Sequence, residues 1–259
     1  AMGFKIKGEA QVALTFFGDG ATNIGTFHES LNMASIWKLP VVFVFQDNGY
    51  GISVPKSDQT ANEICAENFR GFKNLQIIIC DGKDVFDSMN AMTTAREHAL
   101  KNSEPVIVHA MCVRIGNHSN SDKHEWYRDD KEIADAKAQD PLPKYKAELL
   151  KSKIFTEKEL TKIEEEAKVM MLDGHTKAMK APAPTPDSIY DFVVPEAHVP
   201  QKYVDGTHDY NGEPMKFIDS LNGTLKAEFR HNPDTYIWGQ DVANKEKGGI
   251  FNVTKGDRK

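Results

Sequence analysis

The stretch "VALTFFGDGATNIGTFHESLNMASIWKLPVVFVFQDN" (residues 12–48) decides the architecture. It opens on an apolar run, "VALTFF", turns through Gly18, Asp19 and Gly20, continues amphipathically and closes on a second apolar run, "VVFVF". Over residues 26–38, Phe27, Leu31 and Ala34 share a helical face, and Thr26 and Glu29 have capping-box spacing. Both apolar runs are continuous rather than alternating, the pattern of strands covered on both faces in a parallel sheet. Two further runs, "LQIIIC" (75–80) and "PVIVHAMC" (105–112), flank a helix predicted over 84–101, with Val85, Met89, Met92 and Ala99 inward. This alternation predicts an α/β fold, a doubly wound and mainly parallel sheet with helices on both faces.

The remainder is less regular. Residues 114–131, "RIGNHSNSDKHEWYRDDK", are polar and aperiodic and read as a long loop. Helical patterns follow at 141–151 and 156–180, the second opened by Thr156 and Glu159 at capping-box spacing and carrying a solvated charged face. "APAPTPDSIYDFVVPEAHVP" (181–200) holds five prolines and cannot continue a helix. The expected organisation is a domain over 1–150, a helical tail over 151–181, a Pro-rich linker over 182–212 and an incomplete second α/β unit over 213–259. In that unit Ile218, Leu221, Leu225 and Phe229 share a helical face, "TYIWGQDV" (235–242) reads as a strand and "KEKGGIF" (245–251) as a glycine turn.

Composition excludes several classes. With 40% hydrophobic and 27% charged residues the chain is an ordinary soluble one. A net charge of −6 and pI near 5.9 argue against a nucleic-acid or anionic-membrane binder. No apolar run approaches the length of a membrane span, and residues 1–20 do not read as a signal peptide. Cys65, Cys80 and Cys112 are widely spaced and read as buried small hydrophobes in a reducing compartment. The expected location is the cytoplasm, or the mitochondrial matrix in a eukaryote.

The acid between two glycines needs an explanation, because glycine-rich turns after strands usually receive anions. Asp19 and Asn48 end successive strands about thirty residues apart, the length of one strand–helix–strand unit. A right-handed crossover brings both to one sheet edge, where open α/β folds bind ligands and helix N-termini offer N–H groups. A bare carboxylate about 4 Å from a phosphate oxygen would repel it by roughly 4 kcal/mol at an effective dielectric of 20. A magnesium ion between them reverses the sign, held by Asp19, the Asn48 amide oxygen and the Tyr50 carbonyl. Gly18 and Gly20 let the chain turn sharply beside it. A dinucleotide loop with Asp47 as the ribose acid fits worse, since the third glycine, Gly25, is misplaced. A plain turn with Asp19 as helix cap is the blander alternative.

These residues carry a resemblance. "GDGATNIG…WKLPVVFVFQDNGYGIS" is similar to the diphosphate-binding signature of thiamine-diphosphate enzymes, GDG followed about thirty residues later by Asn. More closely, residues 4 to about 195 resemble the alpha subunit of the decarboxylating first component of 2-oxo acid dehydrogenase complexes. "RIGNHSNSD" and "YRDDKEI" resemble its active-site loop, with the "RIG" lead-in favouring the branched-chain (2-oxoisovalerate) type over pyruvate and acetoin types. Residues 213–256 resemble the start of the beta subunit, which implies an alpha–beta fusion.

The resemblance implies a thiamine-diphosphate-binding fold and oxidative decarboxylation of a 2-oxo acid, with acyl transfer to the lipoyl group of a core acyltransferase. It implies that Asp19, Asn48 and Tyr50 hold Mg²⁺, that Gly20, Ala21 and Gln46 contact the diphosphate, and that His118 lies over the thiazolium ring as the catalytic residue. A homodimer of the fused chain, or an alpha2beta2 assembly, is implied as well. The family's upstream alpha segment is absent, its beta-type glutamate falls beyond residue 259, and Gln240 stands where members often carry an acid. This stretch alone is therefore expected to be inactive. Ser119 and Ser121 fall where eukaryotic relatives carry regulatory phosphoserines, although loop hydrogen bonding suffices to explain them. A His118–His124 metal pair lacks a third ligand. The competing readings are a non-catalytic assembly module of the same fold and a thiamine enzyme releasing aldehyde without a lipoyl partner.

Overall fold

The computed structural model describes residues 1–193, 213–239, 242, 248 and 251–256. Two compact units divide the chain, Ala1–Ala181 and Pro182–Lys259.

In the first unit the strands are β1 (Ala13–Gly18), β2 (Val41–Asp47), the short hairpin pair β3 (Tyr50–Gly51) and β4 (Val54–Pro55), β5 (Gln76–Asp81) and β6 (Val106–Met111). The helices are α1 (Met2–Lys7), α2 (Gly25–Ile36), α3 (Val85–Asn102), α4 (Asp130–Ala138), α5 (Pro141–Lys151) and α6 (Glu157–Lys180). The main sheet runs β1-β2-β6-β5 with every neighbour parallel, so the α/β expectation holds. From β1 the chain steps to β2 through α2, then passes β6 to β5 and returns inward through α3. That reversal puts the two crossover helices on opposite faces, because each crossover keeps the same hand.

Side-chain alternation along β2 follows from this. Val41, Phe43 and Phe45 pack with Phe27, Leu31 and Ala34 of α2, together with Cys65, Phe69 and Ile107. Val42 and Val44 pack on the other face with Ala91, Ala95 and Ala99 of α3 and with Val106, Val108 and Ala110. The first face is aromatic, with the Phe27 ring 5.0 Å from Phe69 and 5.4 Å from Phe45, both edge-on.

Several expectations need correction. Met89 is exposed, and α3 meets the sheet through the alanine stripe 91–95–99, whose small side chains let the backbone approach closely. β1 is not fully covered on both faces: Leu14 and Phe16 are 53% and 56% exposed, because α3 packs chiefly on β5, β6 and β2. The capping box at Thr26 does not form. A 3-10 turn over Asp19–Asn23 leads straight into α2, so Ile24 takes the N-cap position and Thr26 lies inside the first turn. The box at Thr156 does form, with the Glu159 N–H donating to Thr156 Oγ1 at 3.3 Å and the Thr156 N–H donating to Glu159 Oε2 at 2.8 Å. The polar stretch 114–131 is not all loop: it contains a 3-10 turn over His124–Trp126 and ends inside α4.

In the second unit, α7 (Phe217–His231) forms over the expected amphipathic run and buries none of its residues. Residues 235–239 form no strand, and Gln240 and Asp241 lie outside the described residues, as does most of 245–251 and all of 194–212. Among the described residues no helix is long and apolar enough to cross a membrane.

Candidate functional site

Parallel pairing brings the ends of β1 and β2 together, with Gly18 opposite Gln46. Asp19 follows directly and is 2% exposed, yet among the described residues neither carboxylate oxygen accepts a well-formed hydrogen bond. Buried polar atoms in folded proteins are almost always paired, so an orphaned carboxylate marks a place where a cation is wanted. Burial raises the Asp19 pKa, as does the charge of Asp47, while the Asp19 and Asn48 backbone amides and Lys56 pull it back. The N-terminus of α2, at Gly25, lies six residues beyond the 3-10 turn's start at Asp19, has no side-chain cap and offers N–H groups to an anion.

The turn after β2 is built by local polar bonds. Asn48 Oδ1 accepts from the Tyr50 N–H at 3.1 Å, and Asp47 Oδ1 accepts from the Gly49 N–H at 3.0 Å. Gly49 sits at φ +83, open to glycine without strain. Gly20 comes so close to the hairpin that an added Cβ would lie 2.9 Å from Gln59 Oε1 and 3.3 Å from the Gly51 Cα. Any larger residue would fill that space. Ala21 lies in the same 3-10 turn, and Gln46 is exposed at the end of β2.

A polar and aromatic cluster joins Tyr50 to the loop carrying His118. The Tyr50 hydroxyl donates to Glu132 Oε2 at 3.0 Å, and Arg128 Nε donates to Glu132 Oε1 at 2.8 Å. The Arg114 and Arg128 guanidinium groups lie 5.3 and 5.4 Å from the Tyr50 ring centre. Arg114 also donates to the Tyr127 hydroxyl at 2.7 Å and to the Ile52 carbonyl at 2.8 Å. The Tyr127 hydroxyl donates to Asp122 Oδ2 at 2.6 Å, which accepts the His118 N–H at 2.8 Å. The Tyr127 bond, with that from the His118 amide, holds the Asp122 carboxyl below its usual range.

The His118 side chain itself is exposed, and no hydrogen bond or ion pair joins it to Asp19, Asn48 or Tyr50. Ser119 and Ser121 hydrogen-bond each other at 3.1 Å. His124 is buried 3.4 Å from Arg128 Nη1 rather than paired with His118. Of the metal ligands the sequence suggested, Asp19 offers two carboxylate oxygens, Asn48 an amide oxygen that also accepts the Tyr50 N–H, and Tyr50 a carbonyl, all hard donors suited to Mg²⁺.

One cluster escaped the reading of the sequence. Asp47, Cys65 and His109 are all buried, with ligand-type atoms within 4.8 Å of one another. His109 Nε2 lies 2.9 Å from Asp47 Oδ2, an ion-pair distance outside hydrogen-bond direction, and His109 Nδ1 lies 3.6 Å from Cys65 Sγ. Burial pushes Asp47 up, but His109 and Lys56 outweigh it and hold the carboxyl below its usual value. Burial pushes the Cys65 thiol up to about 11. No spacing motif links positions 47, 65 and 109; only an isolated histidine in a strand otherwise wholly apolar could have signalled it.

A protein-family model described as "Dehydrogenase E1 component" matches residues 1–187. The chain is similar to 2-oxoisovalerate dehydrogenase subunit alpha 2, mitochondrial, of Arabidopsis thaliana, at 30% identity over 84% of this chain and 46% of that protein. It is 30% identical to 2-oxoisovalerate dehydrogenase subunit alpha of Bacillus subtilis, over 74% of this chain and 59% of the other. To pyruvate dehydrogenase E1 component subunit alpha of Zymomonas mobilis it is 32% identical, over 75% and 54% respectively. The chain spans about half the length of these curated relatives.

Proposed function

The chain belongs to the dehydrogenase E1 component family, and from that premise we propose that it is the metal- and diphosphate-binding, alpha-type part of an enzyme that oxidatively decarboxylates a 2-oxo acid. The observation that carries this is the buried carboxylate of Asp19 beside Asn48, neither of whose oxygens accepts a well-formed hydrogen bond among the described residues. In this reading Asp19, Asn48 and the Tyr50 carbonyl would hold Mg²⁺, which would offset the charge of the diphosphate of thiamine diphosphate. Gly20, Ala21 and Gln46 line the diphosphate, and the free N–H groups of α2 add to its charge stabilisation. The bound cofactor supplies an electron sink for loss of CO₂.

His118 faces the reacting substrate from a loop whose backbone is anchored through Asp122 and Tyr127. The acyl product passes to a lipoyl group on a core acyltransferase. A branched-chain 2-oxo acid is favoured by the "RIG" lead-in, with pyruvate and acetoin as alternatives, since relatives named for both 2-oxoisovalerate and pyruvate match at similar identity. Residues 213–259 begin a beta-type half fused to the alpha-type one, and the working assembly is a cytoplasmic dimer or alpha2beta2 complex. The present stretch does not turn over by itself.

The test is acyl transfer from a panel of 2-oxo acids to a lipoylated acceptor by the assembled enzyme. Acyl-lipoyl formation fastest with branched-chain acids supports the reading. Aldehyde released without acceptor supports the lipoyl-independent thiamine enzyme instead, and absence of any metal-dependent cofactor binding supports the assembly module. Turnover by this polypeptide with Mg²⁺ and thiamine diphosphate alone would overturn its expected inactivity.

A further inference from the structure

Two acids stand side by side at the strand ends, Asp19 after β1 and Asp47 at the end of β2, and their surroundings differ sharply. Among the described residues neither Asp19 carboxylate oxygen accepts a well-formed hydrogen bond, and only its own and the Asn48 backbone amides and the Lys56 charge favour its ionised form. Asp47, equally buried, has several partners, and each ties down a different element. Its Oδ1 accepts from the Gly49 N–H at 3.0 Å, inside the turn. Its Oδ2 lies 2.7 Å from Lys56 Nζ, just past the hairpin, and 2.9 Å from His109 Nε2 on β6. Its carbonyl accepts from the Cys112 N–H at 2.7 Å. Lys56 closes the segment from the other side, its N–H donating to the Gly49 carbonyl at 2.8 Å.

We propose that the buried His109–Asp47 pair is a positioning device, which fixes the Asn48–Tyr50 turn so that its oxygens meet the cation at Asp19. This rests on the magnesium reading above and adds to it two residues that do not touch the ion. His109 suits the task because it is immobile: it is fully buried, its Nδ1 faces Cys65 and its ring lies edge-on to Phe45 with centroids 6.1 Å apart. Its Nε2 lies 2.9 Å from Asp47 Oδ2, an ion-pair contact rather than an aligned hydrogen bond. The pairing also settles which acid serves the metal. Lys56 and His109 occupy Asp47, so Asp19 is the carboxylate left without a well-formed hydrogen bond.

The same three side chains do not make a second metal centre. Asp47 and Cys65 lie on opposite ring nitrogens of His109, so an ion bound through one nitrogen leaves the other partner out, and an ammonium already occupies Asp47 Oδ2. Groups that orient metal ligands without touching the ion typically change metal affinity by about 10–100-fold when removed.

The experiment measures the Mg²⁺ concentration that half-saturates thiamine diphosphate binding, by calorimetry, in the full-length protein assembled as isolated. His109→Leu and Asp47→Asn should raise that midpoint by about tenfold or more, whereas His109→Gln, whose amide nitrogen reaches the place of Nε2, should restore it close to wild type. An unchanged midpoint in His109→Leu overturns the proposal, and so does equal impairment in the Leu and Gln variants, which would mean packing alone. If the Leu variant does not fold, Asp47→Asn and His109→Gln decide by the same comparison, an unchanged Asp47→Asn midpoint being contrary. Asp19→Asn serves as the control for the underlying reading: if it keeps metal-dependent binding, the magnesium site is misplaced whatever the other variants do.

Discussion

Asp19 keeps a carboxylate in the protein interior with no well-formed hydrogen bond among the described residues, its own and the Asn48 backbone amides offsetting its burial only in part. Without metal this is destabilising, since an unsatisfied buried group costs about 1–3 kcal/mol and more when charged. Asp19→Asn should therefore stabilise the metal-free protein by at least that order in chemical denaturation at neutral pH. The pH dependence follows from the raised pKa. Between the ordinary carboxylate value of 3.8 and the raised one, the folded chain binds more protons than the unfolded chain, so stability falls as pH rises through that window. The Asn variant should lack this fall, and Mg²⁺ with cofactor should suppress it in the wild type. An Asn variant no more stable than wild type at neutral pH would mean that the carboxylate has a partner in solution. That Asp19 and Asn48 follow the ends of adjacent parallel strands was legible in the sequence, because the unit joining them is short and local. The Asp47–Cys65–His109 cluster was not, because its members come from three distant segments and only the sheet and the packing around it bring them together.

At the scale of elements, large apolar residues gave the right helices and, in α3, a face that holds at Met92 and Ala99 and fails at Met89. Periodicity weighted Met89, whereas the helix docks through Ala91, Ala95 and Ala99, each at most 3% exposed. Small residues carry little hydrophobic signal in a sequence, yet they set how near a helix lies to a sheet. Ala95→Leu should cost about 1–3 kcal/mol by overpacking against Val42, Val44 and Val108; an unchanged melting temperature would show that α3 has room to move. The two capping boxes make a related contrast. Thr156 precedes a free helix start and caps it, while the Thr26 pattern is overridden because the turn at Asp19 already delivers the chain in helical register. That override leaves the α2 N–H groups open, where the proposed diphosphate needs them.

For the whole molecule, the strand–helix alternation and continuous apolar runs were enough to specify a parallel sheet wound in both directions. They were not enough to show that one face of β1 is not fully covered, since coverage depends on how many helices are present to share that face. Among the described residues both apolar clusters draw only on the first unit, and α7 in the second buries none of its residues. A chain ending at Ala181 should therefore melt within about 2–4 °C of the 259-residue chain, the shift that corresponds to 1 kcal/mol at this size. Loss of its cooperative transition would mean that the second unit is part of the folding core.

The central claim is that a magnesium ion at Asp19 bridges the strand ends to an anionic cofactor. Isothermal titration of thiamine diphosphate into the assembled wild-type protein and its Asp19→Asn variant, each with and without Mg²⁺, tests it most directly. Binding heat in the wild type only when Mg²⁺ is present, and none in the variant under either condition, is the predicted result; equal, metal-dependent heat in both proteins would contradict it.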